Sequence, residues 1–129
     1  MFRPVLVAPL LFATLVSFAI AQDAIRHSDP ANFAESVMRA IEKQDLNEAS
    51  RLIAQATGKN ELLTTIQNAL GVLKDKKFDY RKQLLERDCS GALRQIVHYT
   101  YIPDLGFIYF RFNFKMTSAG WLLANFIFK

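Results

Sequence analysis

The sequence predicts an α+β fold in which N-terminal helices pack on a curved four-stranded antiparallel sheet. Before about Lys77, apolar residues recur at spacings of three and four, as they do along one side of a helix. After Lys77 they alternate with polar residues and are mostly aromatic or β-branched, which is typical of half-buried strands. A run of helices followed by a run of strands favours one helical layer on one side of a sheet.

Three amphipathic helices are predicted, each with a start or stop signal. The first begins at Ser28-Asp29-Pro30, where the Ser or Asp side chain can cap free amides and proline suits the first turn. The second begins with a capping box of Asp45 and Glu48 and ends at Gly58. Asn60 is expected to cap the third. The three apolar stripes that should face the sheet are Phe33, Val37, Ala40 and Ile41; Leu46, Ala49, Leu52, Ile53 and Ala56; and Leu62, Leu63, Ile66, Leu70 and Leu73.

Four strands in an antiparallel meander are predicted over residues 79–88, 92–102, 107–116 and 121–128. In the third strand, one face should form the main core under the helices, and its members are Ile108, Phe110, Phe112, Phe114 and Met116. In the second strand, Arg94, Ile96, His98 and Thr100 share a face that we expect to be a mixed outer surface. A twisted sheet of this length is expected to curl and leave a concave pocket against the helices.

Residues 1–21 have the pattern of an export signal. Arg3 precedes an apolar run of 17 residues, Val5–Ala21, which closes with the small side chains of Ala19 and Ala21 before Gln22. We expect cleavage after Ala21, leaving residues 22–129 as one domain that is periplasmic or secreted. The competing interpretation is an uncleaved anchor, although a spanning helix needs about 20 apolar residues.

Charge and cysteine content narrow the function classes. Without Arg3 the chain keeps 15 of its 16 Lys and Arg residues against 12 Asp and Glu, a net charge of +3, which does not indicate nucleic-acid binding. Cys89 is the one cysteine, so no intramolecular disulfide can form. It is expected to be a small apolar filler, with a reactive thiol or an intermolecular link as the alternative.

The pattern resembles the NTF2-like superfamily, in particular its small exported bacterial members. The resemblance lies in the opening helices, residues 91–99 (GALRQIVHY), the Phe-rich strand at 109–114 (YFRFNF) and the closing residues 120–123 (GWLL) and 126–128 (FIF). It implies an NTF2-like or cystatin-like cone, often dimeric through the open sheet face. The superfamily includes isomerases, dehydratases and non-catalytic binding modules, so function has to be argued from the site.

An isomerase- or dehydratase-like site needs a base in an apolar pocket and a donor for the developing oxyanion. Weak candidates for the base are Asp88 and His98, and the donor would be Tyr99, Tyr101 or Tyr109. Asp88 is otherwise a solvated carboxylate near a turn. The sequence has no zinc spacing, Gly-rich phosphate loop or nucleophile elbow, so we expect no metal and no cofactor.

Binding residues are sought among the arginines and tyrosines of the strands. Arg94 and Arg111 on adjacent strands would hold a carboxylate or phosphate if they met on one face, and are otherwise solvated or paired with Glu86 or Asp88. Tyr99, Tyr101 and Tyr109 on the less hydrophobic face form either an interface, a pocket wall or cross-strand pairs within the sheet.

These observations favour a non-catalytic exported module that binds a small apolar ligand or a protein partner, through the pocket or the open sheet face. An enzyme that acts by proton transfer in the pocket is the first alternative. A structural homodimer of the cell envelope is the second. No nucleic acid is expected as a partner, and membrane contact is expected only through the transient signal peptide.

Overall fold

The computed structural model describes residues 29–129, which form three helices packed with an open four-stranded antiparallel sheet. The helices are α1 (Pro30–Glu42), α2 (Leu46–Thr57) and α3 (Leu63–Leu70), with short 3-10 turns at Asn60–Leu62 and Gly71–Leu73. The strands β1 (Tyr80–Cys89), β2 (Leu93–Ile102), β3 (Gly106–Thr117) and β4 (Gly120–Phe128) lie side by side in chain order. The predicted α+β class is confirmed. The predicted export signal at 1–21 and its cleavage site lie outside the described residues.

Helix starts follow the capping chemistry of the sequence in part. The Asp29 side chain accepts a hydrogen bond from the Ala31 amide at 2.9 Å, and Pro30 occupies the first turn of α1. At the end of α2, Gly58 adopts the left-handed conformation (φ 71°) that stops the helix. The third cap is wrong, because a 3-10 turn at Asn60–Leu62 leads into α3 and no side chain caps either element.

The capping box at α2 is formed in one half only. The Asp45 carboxylate accepts from the Glu48 amide at 3.3 Å, as expected. The return bond is absent because the Asp45 amide donates to the Ala40 carbonyl at 2.9 Å. The Glu48 carboxylate instead binds the guanidinium of Arg51 at 2.7 and 2.8 Å. A nearby cation therefore competes successfully with the backbone amide for the Glu48 side chain.

The inner face of the sheet, which the helices cover, contains the predicted phenylalanine row. Phe110, Phe112 and Phe114 are buried among residues of all three helices. Phe33 of α1 lies edge-on to Phe114, with ring centroids 5.9 Å apart. Burying a large aromatic side chain stabilises a fold by about 2–3 kcal/mol. This row is therefore a major part of the core.

The face of β2 that contains His98 was predicted to be outer, and this is wrong. Ile96 pairs with Phe112 and His98 pairs with Phe110, and partners in an antiparallel pair share a face. Ile96, His98 and Thr100 are consequently buried beneath the helices. The two polar side chains are tolerated there because His98 contacts a guanidinium and the Thr100 hydroxyl donates to the Tyr80 carbonyl.

Two residues at strand ends differ from expectation. Met116 shares the inner face with the phenylalanines but is 47% exposed, because it lies beside the β3–β4 turn at the end of the sheet, beyond a register shift between Asn113 and Phe114. Cys89 is exposed at the end of β1, an edge strand, so its interpretation as an apolar filler is wrong. Coverage by the helices does not extend to either position.

Candidate functional site

A partly buried ionic cluster lies between α1 and the inner face of the sheet. We call Glu35, Glu42, Arg81 and His98 the Arg81 cluster. The Arg81 guanidinium donates to both carboxylate oxygens of Glu35, each at 2.8 Å, and its Nε donates to Glu42. Its Nη1 lies 3.2 Å from His98 Nδ1. The Arg81 side chain is only 14% exposed, so these contacts replace most of its hydration.

The local structure explains how the Arg81 cluster assembles. Glu35 and Glu42 are seven residues apart in α1, which places them on one side of the helix two turns apart. Arg81 pairs with Thr100 of β2, whose side chain points inward. A register shift between Gln83 and Leu85 follows in β1 and reverses the alternation of its side chains, so that Arg81 before the shift and Glu86 after it both pair with inward-facing residues of β2.

The charges of the cluster set the protonation of its members. Hydrogen bonds from Arg81 lower the pKa of Glu35 to about 2, so Glu35 is ionised at neutral pH. Burial, reinforced by the positive charge of Arg81, lowers the pKa of His98 to about 4. His98 is therefore neutral, with Nδ1 accepting from Arg81 and the proton on Nε2. His98 Nε2 is buried and has no hydrogen-bond partner within residues 29–129.

A second, looser group surrounds Arg94 at the other end of the inner face. Its guanidinium nitrogens lie 3.5 Å from Asp29, 3.8 Å from Glu86 and 3.9 Å from Asp88. The guanidinium also lies 5.1 Å from the ring centroid of Trp121, within the range of a cation–π contact. Arg94 thus has the counter-charges that the sequence suggested.

The three weak catalytic candidates do not converge. Asp88 pairs with Arg94, which lies four residues from His98 along β2, a separation of about 13 Å for an extended strand. The Asp88 side chain also accepts from the Gly91 amide at 3.1 Å. Tyr99 lies on the opposite face of the sheet from His98. His98 instead has Arg81 and Glu35 as its charged neighbours, and no sequence motif marks either residue.

The outer face of the sheet contains a group of five aromatic rings, four of them exposed around a half-buried Tyr99. We call it the outer aromatic patch, and its members are Tyr80, Tyr99, Tyr101, Phe107 and Tyr109. Tyr99 is central, with ring centroids 5.6 Å from Tyr80, 5.9 Å from Phe107 and 6.1 Å from Tyr109. Phe107 is 62% exposed and Tyr109 is 47% exposed. All three tyrosines singled out from the sequence belong to this patch. Their rings form cross-strand contacts and also remain accessible.

The outer face is also basic. Four of the strands' basic residues lie on it, as their pairing with the outer residues of β2 shows: Lys82, Arg87, Arg111 and Lys115. The only two acidic residues of the four strands, Glu86 and Asp88, face inward to Arg94. Arg94 and Arg111 lie on opposite faces, because Arg94 pairs with Phe114 and Arg111 with Val97. They therefore cannot clamp one anion together, which corrects that hypothesis.

A shallow depression of about 210 Å³ adjoins the outer aromatic patch. Its lining residues are Gln95, Val97, Tyr109, Arg111, Ile127 and Lys129. A second depression, of about 190 Å³, lies toward the other end of β2 and is lined by residues of both faces, among them Leu93, Arg94 and Phe114. Both depressions combine apolar and cationic walls.

Comparison with known proteins adds no family to this description. No protein-family model matches the chain, and a search of curated protein sequences finds no match. Among residues 29–129, no group of three or more His, Cys, Asp or Glu side chains is arranged to hold a metal ion. In the same part of the chain, no helix combines the length and apolar character needed to cross a bilayer. The assignment of function therefore depends on the two faces of the sheet.

Proposed function

We propose that this protein is an exported, non-catalytic module that binds a protein partner across the outer face of its sheet. The observation that carries the proposal is the outer aromatic patch, five contacting rings left uncovered by every described element. Tyrosine, phenylalanine and arginine are enriched in protein interfaces, and contiguous exposed apolar surface commonly marks an interaction site. The resemblance to NTF2-like proteins agrees with this placement, since it implies association through the open sheet face.

A small apolar ligand receives less support from the two depressions. Pockets that bury drug-sized ligands are usually about 300–1,000 Å³ and enclose most of the ligand. The depression beside Tyr109 is about 210 Å³. It suits a single side chain of a partner better than a complete ligand. A protein partner is therefore the occupant we favour.

Proton-transfer chemistry is the alternative function, and His98 is the observation in its favour. A buried imidazole near a carboxylate, with an Nε2 that has no hydrogen-bond partner within residues 29–129, is a familiar element of acid–base sites. Two features weaken this alternative. A pKa of about 4 makes His98 a poor base at neutral pH, and the Glu35 carboxylate is already bound on both oxygens by Arg81.

Export is the part of the proposal that depends on residues 1–21. Mass spectrometry of the protein recovered from outside the cytoplasm should give a mature chain that begins at Gln22. An Ala21→Arg variant places a large cation at the cleavage position and should accumulate uncut. Recovery of the wild-type protein with Met1–Ala21 still attached would contradict cleavage and favour the uncleaved membrane anchor.

The binding surface can be tested by site-specific photo-crosslinking in the cells that produce the protein. A photoreactive residue at Tyr109 probes the outer face, and one at Glu61, which is exposed in the 3-10 turn before α3, serves as the matched control. We expect a discrete adduct of defined mass at Tyr109 and none at Glu61. Equal labelling at both positions, or no adduct at Tyr109, would contradict the proposed interface.

A further inference from the structure

The two faces of the sheet differ in whether their basic side chains are paired with carboxylates. On the inner face, Arg81 and Arg94 are paired with carboxylates. On the outer face, Lys82, Arg87, Arg111 and Lys115 are exposed, and none forms an ion pair with a carboxylate of residues 29–129. A net charge of +3 for residues 22–129 therefore understates the positive potential of the outer face.

We infer that the outer face docks an acidic segment of another protein, one that combines Asp or Glu with aromatic or other apolar side chains. This inference rests on the proposed function and specifies the chemistry of its partner. The supporting geometry is the proximity of cations to rings: Lys82 is the cross-strand partner of Tyr99, and Arg111 lies two residues from Tyr109 on the same face. Cations thus border the rings on both sides.

This arrangement matches the usual anatomy of a protein interface. A central group of aromatic side chains supplies most of the binding energy, and a charged rim selects the partner and speeds association. Aromatic or apolar side chains of the segment would pack on Tyr99 and Tyr109, and its carboxylates would reach Lys82 and Arg111. The depression beside Tyr109 offers a place for one such side chain.

A second copy of this chain fits the outer face less well. In a symmetric dimer the same patch meets itself, so two faces that each carry four cations and none of the strands' acidic residues would be brought together. Like charges brought together at an interface oppose association. An acidic partner turns the same charges into attraction.

Single-stranded nucleic acid is the other polyanion to consider. Binding of that kind uses flat ring faces on which successive bases stack. In the outer aromatic patch, neighbouring ring centroids are only 5.1–6.1 Å apart, and the rings meet both near-parallel, as Tyr99 and Tyr109 do at 27°, and steeply inclined, as Tyr80 and Tyr99 do at 63°, so each ring face is partly covered by a neighbouring ring. The rings therefore form a continuous surface more than a series of separate platforms, which favours a protein segment.

The test measures binding of the purified protein to defined polymers by fluorescence anisotropy. The probe is a fluorescein-labelled random copolymer of Glu and Tyr, and the comparison polymers are poly-Glu, poly-Lys and oligo-dT of similar length. We expect the Glu/Tyr copolymer to bind at least tenfold more tightly than poly-Glu, with affinity that falls as salt rises. We expect no binding of poly-Lys.

Matched variants separate the contribution of the basic side chains to copolymer binding from that of the aromatic rings. Lys82→Glu/Arg111→Glu should weaken copolymer binding at least tenfold, whereas Lys43→Glu/Lys74→Glu, the same charge change at exposed positions outside the sheet, should leave it within twofold. Tyr99→Ser/Tyr109→Ser should abolish the preference for the copolymer over poly-Glu. Circular dichroism and urea unfolding of each variant establish that it is folded before its affinity is compared.

Several results would overturn the inference. Tighter binding of oligo-dT than of the copolymer would assign the face to nucleic acid, and unchanged binding in Lys82→Glu/Arg111→Glu would remove the charge argument. A concentration-dependent dimer that Tyr99→Ser/Tyr109→Ser disrupts would assign the face to a second copy. If the Tyr109 adduct forms in cells while the copolymer fails to bind, the partner is not acidic and the proposed function stands; loss of both results removes both proposals.

Discussion

The two faces of the sheet use similar residues for different purposes. On the inner face, Arg81 and the phenylalanines meet α1 and its carboxylates, so both charge and apolar surface are satisfied within the chain. On the outer face, Arg111 and Tyr109 have comparable chemistry and no covering element among the described residues. What decides the role of a residue is therefore coverage by the helices, and period-two alternation alone does not say which face is covered.

The sharpest difference between the faces should appear in the cost of removing an aromatic ring. Phe112→Ala deletes a fully buried ring and should lower the free energy of unfolding by about 3–5 kcal/mol. Phe107→Ala on the outer face, where the ring is 62% exposed, should cost less than about 1 kcal/mol. Urea denaturation followed by circular dichroism measures both. Equal losses would mean that the faces have been assigned incorrectly.

The Arg81 cluster gives the next largest effect. Arg81→Met leaves Glu35 and Glu42 without their shared cation and should destabilise the protein by about 2 kcal/mol. Breaking a fully buried ion pair costs about 3–5 kcal/mol, and the loss should be smaller here because both carboxylates are about one-third exposed. Arg51→Met, which removes an exposed bidentate pair with Glu48, should change stability far less. Arg81→Met/Glu35→Gln should be less harmful than the sum of its single changes. Strict additivity would show that the contact is not energetically coupled.

The stability of the inner face should depend on pH. Burial holds the pKa of His98 at about 4, below its ordinary value of 6.5, so the unfolded chain binds the proton more readily. The stabilisation is therefore complete above pH 6.5 and is lost as pH falls toward 4, by about 2 kcal/mol at pH 4.5. The pKa of Glu35 is lowered from 4.5 to about 2, so Glu35 adds a further loss of stability as the pH falls from 4.5 toward 2. Urea midpoints from pH 7.5 to 4.5 measure the slope.

A His98→Gln variant supplies the control for that slope. Glutamine keeps a polar side chain that can accept from Arg81 but does not titrate, so the change in stability between pH 6.5 and 4.5 should become shallower. The same slope in the variant and the wild type would assign the pH dependence to other groups.

The smallest expected effect on stability belongs to the outer aromatic patch. Tyr109→Ser removes a ring whose centroid lies 6.1 Å from that of Tyr99. Such cross-strand pairs contribute about 0.2–1 kcal/mol to the stability of a sheet. We expect an unfolding midpoint close to that of the wild type. Crosslinking and copolymer binding by the outer face should nevertheless fall. A large loss of stability would mean that Tyr109 serves the fold instead of a partner.

The class of fold and its core followed from the sequence because alternation and helical spacing are local patterns. Phe110, Phe112 and Phe114 were predicted to face the helices, and they do. The orientation of β2 does not follow from a local pattern. His98 faces inward because it pairs with Phe110, and this pairing depends on the register between the two strands. His98 and Thr100 misled the interpretation, because their polar partners, Arg81 and the Tyr80 carbonyl, lie on another strand 17 and 20 residues earlier in the chain.

The candidate functional residues were likewise predicted only in part. Tyr99, Tyr101 and Tyr109 were identified as binding or interface candidates, and the structure groups them with Tyr80 and Phe107. The Arg81 cluster was not predicted, because Arg81 and Glu35 are 46 residues apart. A partial signal was present in the spacing of Glu35 and Glu42, which lie seven residues apart within the predicted first helix.

The division between the two faces can be tested most directly by NMR during titration with the Glu/Tyr copolymer. Side-chain signals are followed, because each side chain lies on one face of the sheet only. We expect the ring signals of Tyr99 and Tyr109 and the guanidinium signal of Arg111 to shift together, while the His98 ring and the Arg81 guanidinium remain unchanged. Shifts that centre on His98 and Arg81, with the tyrosines unaffected, would contradict this expectation and place the functional surface between the helices and the sheet.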